Sequence, residues 1–272
     1  MKLIGYFFLG TLLSLSAFAG KEENYVQLLR QSNGQKSQLM KEDVVTLERL
    51  ENMFGMDVKT PGLTAMIKRH TLRHRQKAVP VLIKVMKESK YPDHNRWQAT
   101  MLLGQIMGKK SAPFIAKFID HPHWMMRLAC LKALLGLKQD QYHQVYAKGL
   151  KDSSLIVRVQ ALDNISKMKI SPLAPNVWSM MYDKSNYSGD AGNRKRTSIV
   201  KSIIRTVGDI RFEKAKSPLA KLIQKPKYQD LVEDLDYSLE KITGEVSPNS
   251  SVEQRRKFWS KFNLEKNVVK KI

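Results

Sequence analysis

Apolar residues recur along this chain at a helical spacing, and the block that carries them is itself repeated. Arg96, Arg127 and Arg158 lie 31 residues apart and serve as origins for counting. Offset +3 then falls on Ala99, Cys130 and Ala161, offset +7 on Leu103, Leu134 and Ile165, and offset +10 on Ile106, Leu137 and Met168. Every one is apolar, and these offsets trace one stripe of a 3.6-residue helix. The pattern returns from Arg196 with Ile199, Ile203 and the weaker Thr206, and from Val232 with Leu235, Leu239 and Ile242.

A second set of helices lies between these. "SAPFIAKFI" from Ser111, "SPLAPNVWSMMY" from Ser171 and "KSPLAKLIQ" from Lys216 each carry proline near the first helical turn, where its missing N–H costs nothing. "AVPVLIKVM" from Ala78 is the same element earlier in the chain, and "QYHQVYAKGL" from Gln141 is its proline-free version. Each unit is thus a helix, a turn and a second helix. Such a hairpin cannot hide both apolar faces alone, so the units are expected to stack.

The unit "RLACLKALLGL" followed by a proline-started helix resembles the HEAT repeat, most closely the short bacterial variety named after the phycobilisome lyases. The resemblance covers residues 60–244 or so. It implies an all-α fold, a right-handed α-solenoid of five to six stacked hairpins with capping helices at its ends. The segment "LEKITGEVSPNSSVEQRRKFWSKFN" is similar to the closing element of bacterial HEAT arrays, where a "TG" turn leads into a Trp-bearing helix. Phe258, Trp259 and Phe262 would there cover the apolar end of the last hairpin. HEAT repeats serve adaptors, scaffolds, DNA-binding proteins and some enzymes, so the resemblance implies fold more than function.

The flanks complete the expected organisation. "MKLIGYFFLGTLLSLSAFAG" has a lysine at its start, an apolar run from Leu3 to Leu15, and Ala17 and Ala19 in the A-x-A arrangement that signal peptidase reads. Residues 1–19 are therefore expected to be a cleaved Sec signal, with the mature chain beginning at Gly20 in a periplasm or the medium. Residues 20–58 read as a loop and a capping helix within "VVTLERLENMF", residues 59–244 as the repeat array, and residues 245–272 as cap and basic tail. The stretch "DKSNYSGDAGNRKR", residues 183–196, lengthens one unit from 31 to 38 residues and reads as an inserted loop. No later segment is apolar enough to cross a membrane, so no transmembrane segment is expected in the mature chain.

Charge adds a polarised field. Across 272 residues, 47 Lys and Arg stand against 25 Asp and Glu, a formal charge of +22, which attracts polyanions. "IKRHTLRHRQK" holds the densest basic run, and Lys68, Arg69, Arg73, Arg75 and Lys77 are its candidate binding residues. Arg194, Lys195 and Arg196 form a second cluster, and Arg255, Arg256, Lys257 and Lys261 a third. "DLVEDLDYSLE" reads as one acidic helix through Asp230, Glu233, Asp234, Asp236 and Glu240. The arginines at 96, 127, 158 and 196 recur at one offset and could form a ladder of carboxylate forks. Their repetition favours a structural role, each guanidinium pairing with a neighbouring turn or helix end.

Candidate chemistry is sparse. The single Cys130 excludes an internal disulfide framework and sits on an apolar stripe, as a small buried hydrophobe does. His70 and His74, and the His-Pro-His at His121 and His123, could sterically reach a metal, but basic neighbours surround the first pair and no cysteine or carboxylate accompanies it. No metal site and no cofactor are expected. Glycine-rich phosphate loops and nucleophile elbows are absent from the sequence, so no catalytic residue is assigned. The expected function is an exported scaffold or adaptor for protein–protein interaction in the cell envelope. The alternatives are a basic binder of anionic polymers (lipopolysaccharide, acidic glycan, anionic lipid surface or extracellular nucleic acid) and a lyase-like or glycosylase-like enzyme on a HEAT scaffold. Nucleic acid is the least expected partner, because the chain reads as exported.

Overall fold

The computed structural model describes residues 46–57, 60–187, 197–248 and 251–268, with the side chains of all but residues 197 and 261–268. The expected signal segment 1–19, the segment 20–45, Arg194, Lys195 and Arg196, and the side chains of Lys261 and Phe262 lie outside the described residues. Among the described residues there is helix and turn and no strand, so the chain is all-α.

The α-helices are α1 Leu47–Gly55, α2 Pro61–His74, α3 Val79–Lys87, α4 Asp93–Met107, α5 Ala112–Ala116, α6 Trp124–Gly136, α7 His143–Leu150, α8 Leu155–Met168, α9 Ala174–Ser179, α10 Thr197–Asp209, α11 Lys216–Leu222, α12 Val232–Thr243 and α13 Val252–Val268. They fall into two compact units, Met1–Gln139 and Asp140–Ile272. In the first, α3 packs on α4 and α4 on α6, with α1 laid against α2 and α3. In the second, α8, α10 and α12 pack in succession, α11 lies on α12, and α13 closes on α11.

The helix starts obey the repeat. The residues that cap α4, α6 and α8 are Pro92, His123 and Ser154, again 31 apart. Offsets +3 and +7 are core: Ala99, Cys130, Ala161, Leu103, Leu134 and Ile165 are all buried. At offset +10, Ile106, Leu137 and Met168 are half-buried. All three lie at helix ends. Lys138 and Lys169 adopt positive φ, 53° and 55°, and the next residues, Gln139 and Ile170, donate their N–H to the carbonyls of Leu134 and Ile165 at 3.0 Å. This left-handed reversal turns the chain inward and buries Gln139 and Ile170 just past offset +10.

The proline-started helices are shorter than the sequence suggests. α5 is one turn framed by 3-10 turns at Gly108–Ser111 and Lys117–Asp120, and α9 is framed likewise by Ser171–Leu173 and Met180–Tyr182. Their apolar residues still reach the core, as Ile115, Phe118, Ile119, Val177 and Met180 show.

The helix read as acidic is not a solvated acidic face. Asp234 and Asp236 of α12 are buried. Asp234 pairs with Arg205 of α10 and lies 3.7 Å from Lys201. Asp236 accepts from the Trp259 indole N–H at 2.6 Å and the Ser247 hydroxyl at 2.9 Å, with Arg255 at 3.5 Å. One helix earlier, Asp209 accepts from Ser166 at 2.5 Å and Tyr237 at 2.7 Å, joining α8, α10 and α12. Burying these carboxylates costs little because each is hydrogen-bonded or ion-paired.

Candidate functional site

The repeat arginines act on backbone. Arg127 donates to the carbonyls of His121 and Pro122 at 3.0 and 2.8 Å, and Arg158 donates to those of Asp152 and Ser153 at 2.7 and 3.2 Å. Both reach six and five residues back, so each guanidinium ties the start of its helix to the turn before it. Arg96 departs from the pattern: it donates to the Met86 carbonyl at 3.0 Å and to Asp93 Oδ1 at 3.1 Å, with His121 Nε2 at 2.8 Å. Arg96 and Arg158 are buried and Arg127 half-buried, as carbonyl-tying arginines should be.

Where Arg96 holds the start of α4, the first unit opens a groove of about 620 Å³. Its walls are the end of α1 with Gly55 and Asp57, the loop from Ser89 to Pro92, the first turn of α4 with Asp93 and His94, and the first turn of α6 with Trp124 and Met125. Local chemistry fixes each wall. Asn95 donates through Nδ2 to the Phe54 and Met56 carbonyls at 2.7 and 2.9 Å, which closes the end of α1. Glu51 accepts from the Tyr91 hydroxyl at 2.7 Å and pairs with Lys84 at 2.6 Å, which anchors the loop. Lys84 and the Tyr91 hydroxyl hold the Glu51 carboxyl below its usual range, while burial and that hydrogen bond push the Tyr91 phenol up.

His123 joins the third wall to the fourth. Its Nδ1 accepts the Met125 N–H at 3.3 Å and so caps α6, which leaves the ring proton on Nε2, 3.2 Å from Asp93 Oδ2. Asp93 therefore bridges Arg96 and His123. The indole of Trp124 stacks at 5.9 Å from the His123 ring, yet it remains 38% exposed where Trp259 is fully buried. Nearby, His94 Nδ1 lies 3.9 Å from Asp57, and Lys90 pairs with Glu88 at 2.9 Å. The groove thus presents one accessible aromatic face among polar groups already held in place by neighbours.

His121, just behind this wall, meets a donor at each ring nitrogen. His123 N–H reaches Nδ1 at 3.0 Å and Arg96 reaches Nε2 at 2.8 Å. A neutral ring offers a lone pair to one of them and a protonated ring to neither, so charging is opposed. Burial first, and then the Arg96 charge, lower its pKa from the ordinary 6.5. A depressed folded pKa means the unfolded chain takes the proton first, so the stability His121 contributes is present above pH 6.5 and lost as pH falls through the folded value. Thermal denaturation between pH 7.5 and about 5 should show the wild type losing more stability than His121→Asn. Parallel curves for the two proteins would contradict this.

The sequence reaches part of this site. It singles out Arg96 and His-Pro-His, but the latter only as a metal motif, and it passes over Asp57, Asp93 and Trp124. The one available signal was Trp124 itself, three residues before a repeat arginine. The basic run lies elsewhere: Arg69 and Arg73 stand on one exposed face of α2, Lys68 is half-buried beside them, and Arg75 and Lys77 are exposed on the following turn. Arg75 has a positive φ of 50°. Cys130 is fully buried, and burial pushes its thiol pKa up. Among the described residues no group of three or more His, Cys, Asp or Glu side chains is placed to hold a metal ion, and no helix is long and apolar enough to cross a membrane.

No protein-family model matches the chain, and no curated protein matches it.

Proposed function

We propose that this chain is an exported, HEAT-like right-handed α-solenoid that serves as a scaffold in the cell envelope and binds a protein partner through the groove at Trp124. The observation that carries the reading is Trp124, a large aromatic side chain left 38% exposed beside a groove of about 620 Å³. Half-exposed tryptophans are the usual anchors of protein interfaces, because they bury much apolar area with little loss of side-chain freedom. The 31-residue recurrence of helix caps and the carbonyl-tying arginines support the repeat reading, with rigid helix starts presenting the groove residues.

A second reading, capture of anionic polymers by the face of α2, is favoured by Arg69 and Arg73, which share an exposed helical face in a chain of formal charge +22. One experiment separates the two. The purified protein and Trp124→Ala are used to capture partners from native envelope extract, washed in parallel at low and high salt. The scaffold reading expects protein partners that survive high salt and drop about tenfold or more with Trp124→Ala, the loss typical of an interface anchor. Capture that vanishes with salt and ignores Trp124 would replace it with the polyanion reading.

A further inference from the structure

The first unit keeps a row of cations at the edge opposite its groove. α2 and α6 each pack on α4. Gln98 of α4 donates to the Thr64 carbonyl of α2 at 2.7 Å, and eleven residues further along from each come Lys109 and Arg75. His123 lies 3.2 Å from Asp93 at the starts of α6 and α4, and toward their ends a Cβ added at Gly104 would stand 3.8 Å from Leu137 Cδ1. The three helices therefore run in the same direction. The positive-φ reversals that end them, at Arg75, Gly108 and Lys138, lie side by side at the usual helix spacing of about 8–10 Å.

Each reversal presents cations. Arg75 and Lys77 follow α2, Lys109 and Lys110 follow α4, and Lys138 follows α6; all five are exposed, and among the described residues none is paired with a carboxylate. The exposed carboxylates toward this edge are Glu48, beside Arg49 in the first turn of α1, and Asp140, two residues past Lys138, so the edge stays net positive. Asp57, Glu88, Asp93 and Asp120 lie at the far ends of the helices. Arg75 stands at φ 50°, ψ −127°, the conformation that Gly108 takes in the next reversal at φ 55°, ψ −143°. Glycine adopts it without strain and a residue with a Cβ does not, so an arginine held there points to a use for its side chain.

We propose that this edge, through Arg75, Lys77, Lys109, Lys110 and Lys138, docks the chain on an anionic phospholipid surface. Cations near such a surface each add to binding without needing a cavity. Lipid headgroups move laterally to meet charges set by helix spacing, whereas the phosphates of a duplex stay at their own spacing. Five cations spread over three turns therefore suit a bilayer better than nucleic acid. The large apolar side chain left exposed among the described residues of this unit is Trp124, at the groove. Attachment is thus electrostatic, with no side chain inserted, and it turns the groove away from the lipid. It is independent of what the groove binds.

The test is binding of the full protein to vesicles of phosphatidylcholine, to vesicles of phosphatidylcholine and phosphatidylglycerol in equal parts, and to duplex DNA, each at low and high salt. The expected result is binding of the mixed vesicles and not of phosphatidylcholine, lost at high salt and weakened about fivefold for each cation removed in Lys109→Gln with Lys110→Gln. Lys87→Gln with Lys117→Gln removes the same charge toward the opposite ends of the helices and should leave binding nearly unchanged. Arg75→Gly should melt no earlier than the wild type and still bind about fivefold less. Equal losses in the two double variants, or an Arg75→Gly chain that binds like the wild type, would overturn the proposal in favour of the chain's net charge. Tighter binding of the duplex than of the mixed vesicles would overturn it in favour of nucleic acid, and binding that survives high salt, or none to the mixed vesicles, would refute it.

Discussion

Gly208→Ala should destabilise the second unit, although alanine is the better helix former. A Cβ at this position would stand 2.6 Å from Ser238 Cα, 2.8 Å from its Oγ and 2.9 Å from its Cβ. The nearest atom is backbone, so no side-chain rotation relieves it. α10 and α12 would have to part, straining the Ser238 Oγ to Ile204 carbonyl bond of 2.7 Å and loosening Ile203, Ile204, Val207, Leu235 and Leu239, all fully buried. Propensity alone would favour alanine by about 1 kcal/mol. Overpacking of this kind costs about 1–3 kcal/mol, and with backbone as the nearest atom the upper half of that range applies, so a net loss of about 1–2 kcal/mol is expected in urea unfolding. Gly136→Ala is the control: Gly136 lies in α6, exposed, with nothing within 4 Å of the added carbon. Alanine there should be neutral or mildly stabilising, and equal losses at both sites would refute the close crossing at Gly208.

Trp259→Ala should be the larger effect. Trp259 is the largest fully buried side chain among the described residues, and its Nε1 donates to the buried Asp236. Neighbouring contacts fix α13 in place: Gln224 donates to the Arg256 carbonyl at 2.9 Å, and Arg256 donates to the Ile223 carbonyl at 2.8 Å. Removing the indole leaves a cavity and takes a partner from a buried carboxylate, a combination that costs about 3–5 kcal/mol. Trp259→Phe keeps most of the volume and loses only the hydrogen bond, so about 1–3 kcal/mol is expected. Denaturant unfolding of the two variants checks the order. A loss below about 1 kcal/mol for alanine would mean that α13 adds little to the second unit.

The repeat was readable because one stripe of buried residues recurs with its helix caps at 31 residues, and Trp259 was readable as an aromatic in a polar tail. What the pattern missed was set by pairing across helices. Asp234 and Asp236 look like solvated charge in a string of letters, and only the helix crossing shows that Arg205 and Trp259 cover them. The reversals at Lys138 and Lys169 were not legible either, because nothing in a lysine announces a positive φ. The groove was less legible still. Asp57, His94, Asp93 and Trp124 come from three helix ends, and no sequence period joins them. The repeat arginines went the other way: recurrence alone suggested a structural role, and their carbonyl partners supply it.

The central claim, that a protein partner docks at Trp124, is tested most directly by hydrogen–deuterium exchange on the chain with and without its captured partner. The account predicts slowed exchange in peptides covering Gly55–Asp57, Ser89–His94 and His123–Met125, the walls of the groove. Slowed exchange confined to the Lys68–Lys77 stretch, with the groove peptides unchanged, would contradict it.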